Sequence, residues 1–298
     1  MTQETGTAAP NSLVAVPVRH WGRWVSAVVV LVLGGLLVRS FVRADIHYGV
    51  TKDYLFTKPV LDGVKHTLII SVLAQLLGVA LGAMFAVMRL SKNPVTSSVA
   101  WFYIWLFRGT PLILQLILWY NLSAIFPTLS IPGVWSANSN DLITPFVAAL
   151  LGLGINEGAY MAEIVRAGIA SVDTGQTEAA QSLGMNQGLT LRRIVLPQAM
   201  RVIIPPTGNE FINMLKSSAL VAAIQYTELL RTVQTIYTSN LEIIPMLFVA
   251  ALWYLALTSV FSVGQYYLER RFARGSVRNL PITPLQRILQ LVSRAPRV

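Results

Sequence analysis

The chain has 298 residues, 54% of them hydrophobic and 12% charged, with a mean hydropathy of +0.58 and a formal net charge of +10. Soluble domains carry about 25% charged residues, so this chain has too few charges to coat a globule and reads as a membrane protein. It has no cysteine, which excludes disulfides, thiolate metal sites and cysteine nucleophiles.

Residues 1–18 are polar and read as disordered. The first apolar run, Trp24 to Val38, has Arg19 and Arg23 before it and Arg39 and Arg43 after it. Despite "VRA" at Val42 to Ala44, the long lead and trailing arginines favour a retained anchor over a cleaved signal peptide. The second run, His66 to Met88, is long enough to cross a bilayer. Its Gly78 and Gly82, one helical turn apart, allow close helix packing. "SKNP" (Ser91 to Pro94) makes a turn, and "WFYIWLF" (Trp101 to Phe107) suits a membrane interface. A third crossing is expected from Leu112 to Phe126, a Pro-, Ser- and Asn-rich loop from Pro127 to Asp141, and a fourth crossing from Ile143 to Val165. Pro205 and Pro206 mark a bend or a helix start before a fifth crossing, Thr207 to Gln225. The sixth runs from Ile244 to Tyr267, and a basic tail follows from Glu269.

Charge sets the expected topology. With the N-terminus inside, six crossings place the tail inside too, and inside segments then hold 16 Lys and Arg residues against 6 outside, with Lys216 left uncounted within a crossing. That is the positive-inside pattern, and it accounts for the basic excess better than nucleic-acid binding does. The three histidines, His20, His47 and His66, lie far apart and not at metal-ligand spacing.

Between crossings four and five lies "EAAQSLGMNQGLTLRRIVLP", Glu178 to Pro197. It reads as two short helices broken at Gly184, which supplies the turn, and stopped at Pro197. The small Ala179-Ala180 face suits tight docking of another protein, which a plain linker does not need. Glu178-Ala179-Ala180, Gly184, Ile194 and Leu196-Pro197, in this spacing, resemble the "EAA" loop of permease subunits of ABC importers. "FRGTPLILQL" (Phe107 to Leu116), "NEGAYMAEIVRAGI" (Asn156 to Ile169), "LPQAMRVIIPPTGNEFINMLKSSALV" (Leu196 to Val221) and "LERR" (Leu268 to Arg271) are similar to the polar amino acid uptake branch.

The resemblance implies an all-α membrane protein with a five-helix type I permease core plus one N-terminal helix. The expected division is an extension with one transmembrane helix at residues 1–62, the permease domain at 63–268 and a basic cytoplasmic tail at 269–298. It also implies a bacterial cytoplasmic membrane location with both termini cytoplasmic. The implied partners are a cytoplasmic ATPase dimer carrying ATP and magnesium, a second permease subunit, an extracytoplasmic solute-binding protein and membrane lipid, with no nucleic acid. The chain has no G-x-x-x-x-G-K-[ST] phosphate loop, so no ATPase site and no cofactor of its own are expected. An ion-coupled secondary transporter is the alternative, but it predicts an internal repeat, which the sequence lacks.

Ionisable groups inside a crossing are costly and usually face the bundle interior or a cavity. Asn156, Glu157, Tyr160, Asn209, Glu210, Asn213 and Lys216 are the candidate pathway residues, with interhelical packing as the competing role. Asn209, Asn213 and Lys216 share one helix face. Arg108, Glu163 and Arg166 are candidate structural or coupling charges.

Overall fold

The first apolar run becomes α1 (Trp21–Arg43), a helix whose described side chains all face outward. A helix apolar on all sides fits a lipid surround. The structure is a computed structural model that describes residues 21–131 and 135–273. The polar lead at 1–18 and nearly all of the basic tail lie outside the described residues. Residues up to Ile46 form one compact unit and the chain from His47 another.

In the second unit, α2 (Tyr48–Tyr54) lies against the last helix, α13, introduced below. The Thr51 hydroxyl donates to the Pro245 carbonyl at 3.0 Å, and the Trp253 indole donates to the Leu55 carbonyl at 2.8 Å. Next, α3 (Lys58–Arg89) has 32 residues, about 48 Å at about 1.5 Å per residue. That exceeds the about 30 Å of bilayer hydrocarbon.

The expected interfacial stretch and third crossing form one broken element. Asn93 caps α4 (Pro94–Gly109) by accepting from the N–H groups of Val95 and Thr96. The helix stops at Thr110-Pro111, because the residue before a proline avoids the helical region. Then α5 (Leu112–Tyr120) departs at 102°. After α6 (Leu122–Ile125), the expected loop holds an antiparallel hairpin, β1 (Thr128–Ile131) with β2 (Trp135–Asn138), Thr128 opposite Asn138. A short α7 (Ser139–Leu142) follows, then α8 (Pro145–Ala170).

The cytoplasm-facing hairpin of the sequence reading is built from α9 (Thr174–Ser182), α10 (Gln187–Thr190) and a π-helical turn, Leu191–Val195. Pro197 does not stop its second arm. It stands at the second residue of α11 (Leu196–Ser217), directly after the π-helical turn, with helical backbone on both sides. Pro205 and Pro206 likewise lie inside α11 rather than before it, and the Gln265 side chain donates to the Pro205 carbonyl at 2.7 Å. The expected fifth crossing therefore begins eleven residues earlier than its apolar pattern, and it ends in a 3₁₀ segment, Ser218–Ile224. Gln225 then turns the chain in the left-handed region, with φ 61°. The last helices are α12 (Leu229–Asn240) and α13 (Ile243–Ala273).

Among the described residues α1, α3 and α13 are long and apolar enough to cross a membrane, and the bent α4–α5 pair meets the same test only when its two helices are taken together. Helices α8 and α11, with 26 and 22 residues, reach about 39 and 33 Å but carry polar faces. The main packing pair is α3 with α8. A Cβ on Gly78 would collide with the side chain of Glu157, and one on Gly82 with Met161. Reciprocally, a Cβ on Gly154 would lie 2.6 Å from Leu77 Cδ2. Glycines on each helix thus receive large residues of the other, side by side in parallel register. Ile70, Ala74, Leu116, Ala148, Leu153 and Val221 close the core beside that seam.

Candidate functional site

Close packing of α3 on α8 forces Glu157 into the seam, where it is 5% exposed. Its Oε1 accepts from Gln75 Nε2 at 3.3 Å. One flank of α8 and the polar stripe of α11 enclose a cavity of about 460 Å³, lined by Asn156, Glu157, Tyr160, Glu210, Asn213 and Lys216. Leu112, Leu153, Met214, Ser217 and Leu220 complete the wall. Six of the seven candidate pathway residues therefore meet in one place. Asn209, though on the α11 face with Asn213 and Lys216, is not in that wall.

Asn156 has a more specific task than its sequence suggested. The α4–α5 break frees backbone carbonyls, and two side chains take them up. Asn156 Nδ2 donates to the Phe107 carbonyl at 2.8 Å and to Gln115 Oε1 at 3.2 Å. Gln115 Nε2 donates to the Phe107 carbonyl at 3.0 Å, the Thr110 carbonyl at 3.1 Å and the Thr110 hydroxyl at 2.8 Å. Sequence reading missed Gln115. The signal available was a lone amide in "LILQLIL", four residues after Pro111.

The candidate structural charges divide. Arg166 donates through Nε and Nη2 to Glu163 Oε2 at 3.1 and 2.7 Å, a pair one turn apart. Arg108 does not join it by hydrogen bond. It lies over the Tyr160 ring, 5.2 Å from the centroid, where α4 has climbed to the level of Asn156.

The hairpin has its own geometry. Asp173 caps α9 by accepting from the Gly175 N–H at 2.7 Å, and Asn186 caps α10 by accepting from the Leu189 N–H. Gly184 has φ 81°. Its N–H donates to the Gln181 carbonyl at 2.9 Å, and the Met185 N–H to the Ala180 carbonyl at 3.1 Å. Those two bonds form a Schellman turn, which needs the left-handed residue that glycine supplies cheaply. The two alanines have opposite fates. Ala180 is buried in the hairpin with Thr190 and Val195, whereas Glu178, Ala179 and Gly184 are exposed and Leu183 is 84% exposed. Ile194 is half-buried and Leu196 and Pro197 are exposed.

The bent α4–α5 pair, the polar cavity between α8 and α11 and the capped hairpin that joins them make up the candidate site. Residues 78–274 match the family described as "Binding-protein-dependent transport system inner membrane component". The chain belongs to this family. As an inner-membrane component it is the permease subunit of an ABC importer, and its fold is the all-α permease fold. The arginine transport system permease protein of Corynebacterium glutamicum is 47% identical over 276 residues, covering 92% of this chain and 87% of that protein. The nopaline transport system permease protein of Agrobacterium fabrum is 38% identical, covering 68% of this chain and 83% of its own. The crystal structure of "an amino acid ABC transporter with histidines" matches with a TM-score of 0.63 at 38% identity, over 72% of this chain and 95% of that one.

Proposed function

We propose that this permease conducts an amino acid with a cationic side chain from an extracytoplasmic binding protein to the cytoplasm. One observation carries the reading. The cavity wall holds two carboxylates, Glu157 and Glu210, and one ammonium, Lys216. A cationic amino acid brings two positive groups and one negative, so each charge has an opposite to meet. An acidic solute would set two carboxylates against two carboxylates. Tyr160 and Asn213 add hydrogen-bonding groups, while Asn156 holds the helix break. The arginine transport relative supports the same solute class.

Glu178, Ala179, Ala180, Gly184, Ile194, Leu196 and Pro197 form the coupling hairpin in this reading. Its exposed end, with Ala179 and Leu183, enters a cleft on a cytoplasmic ATPase dimer that binds ATP and magnesium. A second permease, the same or homologous, completes the pathway. The excess of Lys and Arg in alternate loops favours cytoplasmic termini in a bacterial cytoplasmic membrane.

Uptake of labelled arginine, lysine, glutamine and glutamate into proteoliposomes holding the permease, its ATPase and its binding protein tests this. Arginine or lysine uptake is expected, reduced at least about tenfold in Glu210→Gln through loss of a charge-assisted hydrogen bond. Selective uptake of glutamate would overturn the solute class. Uptake surviving Gly184→Asp would overturn the coupling role.

A further inference from the structure

On the other flank of Tyr160 lies a second cavity, of about 670 Å³, with an unbalanced charge. Arg89, Arg108 and Arg166 line it against one carboxylate, Glu163. That carboxylate is held by Arg166 through two hydrogen bonds. Arg89 gives Nη1 to the Ser97 hydroxyl at 2.8 Å. Arg108 has the Tyr160 ring for company, and no carboxylate among the described residues lies within ion-pair distance of it. An exposed guanidinium among membrane helices is costly unless it faces water or meets an anion.

The place of Arg108 is fixed by the helix break. The carbonyl of Phe107, just before it, is held by both Asn156 and Gln115, and the Thr110 carbonyl and hydroxyl, just after it, are held by Gln115. The backbone on either side of Arg108 is therefore clamped. Tyr160 lines both cavities and stands between them. The second cavity lies toward the α8 end from which the hairpin continues, since Glu163 and Arg166 are in its wall and α8 ends at Ala170.

We infer that Arg108 is a carboxylate-binding station for the amino acid on the hairpin side of Tyr160. The planar guanidinium fork matches a carboxylate in two parallel hydrogen bonds. A solute leaving Lys216 is handed to Arg108 by its own α-carboxylate as the Tyr160 side chain moves aside. The inference rests on reading the first cavity as the solute pathway.

The test uses the permease–ATPase complex in nanodiscs, without the binding protein, so that only the permease selects. Binding of L-arginine is compared with binding of agmatine, which keeps the guanidinium and amine but lacks the carboxylate. Arg108→Gln is expected to lower the arginine-to-agmatine affinity ratio by about tenfold, the worth of one charge-assisted contact, while Arg108→Lys, which keeps the charge but not the planar fork, is expected to lower it as well, by no more than Arg108→Gln does. An unchanged ratio in Arg108→Gln overturns the station.

A measurement on the unaltered chain guards against a variant that fails to assemble. Phenylglyoxal modification of Arg108, read by peptide mass spectrometry, is expected to slow in the presence of L-lysine and not of cadaverine. Equal rates with the two ligands overturn the proposal. If the uptake assay selects a different amino acid, the solute class has failed on its own. The same comparison with that amino acid and its amide then decides the Arg108 station.

Discussion

Glu228 is fully buried, in the short connection between the 3₁₀ segment and α12, outside the long apolar helices. Its carboxylate accepts from the Tyr254 hydroxyl at 2.5 Å, the Thr67 hydroxyl at 3.3 Å and the Arg231 N–H at 2.8 Å. The Thr67 hydroxyl oxygen in turn accepts from the Leu229 N–H at 3.2 Å. One side chain thus ties α3, α12 and α13 together. Burial pushes its pKa above the ordinary 4.5, with the hydrogen bonds pulling the other way. A carboxyl whose folded pKa is raised contributes stability that is present below its unfolded pKa and lost as pH rises through the folded one. Thermal unfolding of the purified chain is therefore expected to show a component that weakens as pH climbs from about 4.5, and Glu228→Gln is expected to flatten it. A pH profile identical in the variant would remove Glu228 from that role. Glu228→Ala is expected to cost about 2–3 kcal/mol by leaving buried donors unpaired, read as a drop in melting temperature.

At the level of elements, the seam between α3 and α8 depends on glycine. A side chain at Gly78 meets Glu157, so Gly78→Val is expected to cost about 1–3 kcal/mol through overpacking and to displace Glu157 from the cavity. A melting temperature equal to wild type would show that the two helices have room to part. The α4–α5 break makes a second prediction. Gln115→Leu and Asn156→Leu each remove one of the two donors to the Phe107 carbonyl, and only together uncap it, so their effects on melting temperature are expected to be non-additive, with coupling of about 0.5–3 kcal/mol. Strict additivity would mean the two side chains act separately.

These elements also show what was legible in the sequence. Apolar runs located α1, α3 and α13, which are apolar enough to cross a membrane, and also α8, whose apolar residues are buried against protein rather than lipid. The EAA-type motif located the hairpin, because its glycine is needed for a left-handed turn. Pro205 and Pro206 misled, since the start of α11 is polar and its helix is fixed by packing against α8 and α13 rather than by composition. The break before α5 was legible only as Thr110-Pro111. Gln115 holds it from five and eight residues away, but the second amide, Asn156, reaches it from 41 and 49 positions along the chain, which no local pattern reports.

For the whole molecule, the two compact units raise a question of necessity. The cavity between α8 and α11, the hairpin and the clamped backbone around Arg108 are all built from residues after His47, and the match to the permease family begins at residue 78. The nopaline transport relative aligns with 68% of this chain, whereas the arginine transport relative aligns with 92%. If α1 were part of the conducting machinery, its described surface would carry polar groups turned toward a pathway. Instead, between Trp24 and Val38 its polar side chains reduce to Ser26, and the helix is apolar on every side. Deleting residues 1–46 is therefore expected to leave solute-stimulated ATP hydrolysis by the reconstituted complex intact, while lowering the yield of membrane-inserted chain, because the first apolar run and its flanking arginines help set orientation. The decisive readout is turnover per assembled complex, not per cell. Loss of turnover in complexes that still contain the ATPase would place α1 in the transport cycle and would require a contact between it and the second permease subunit.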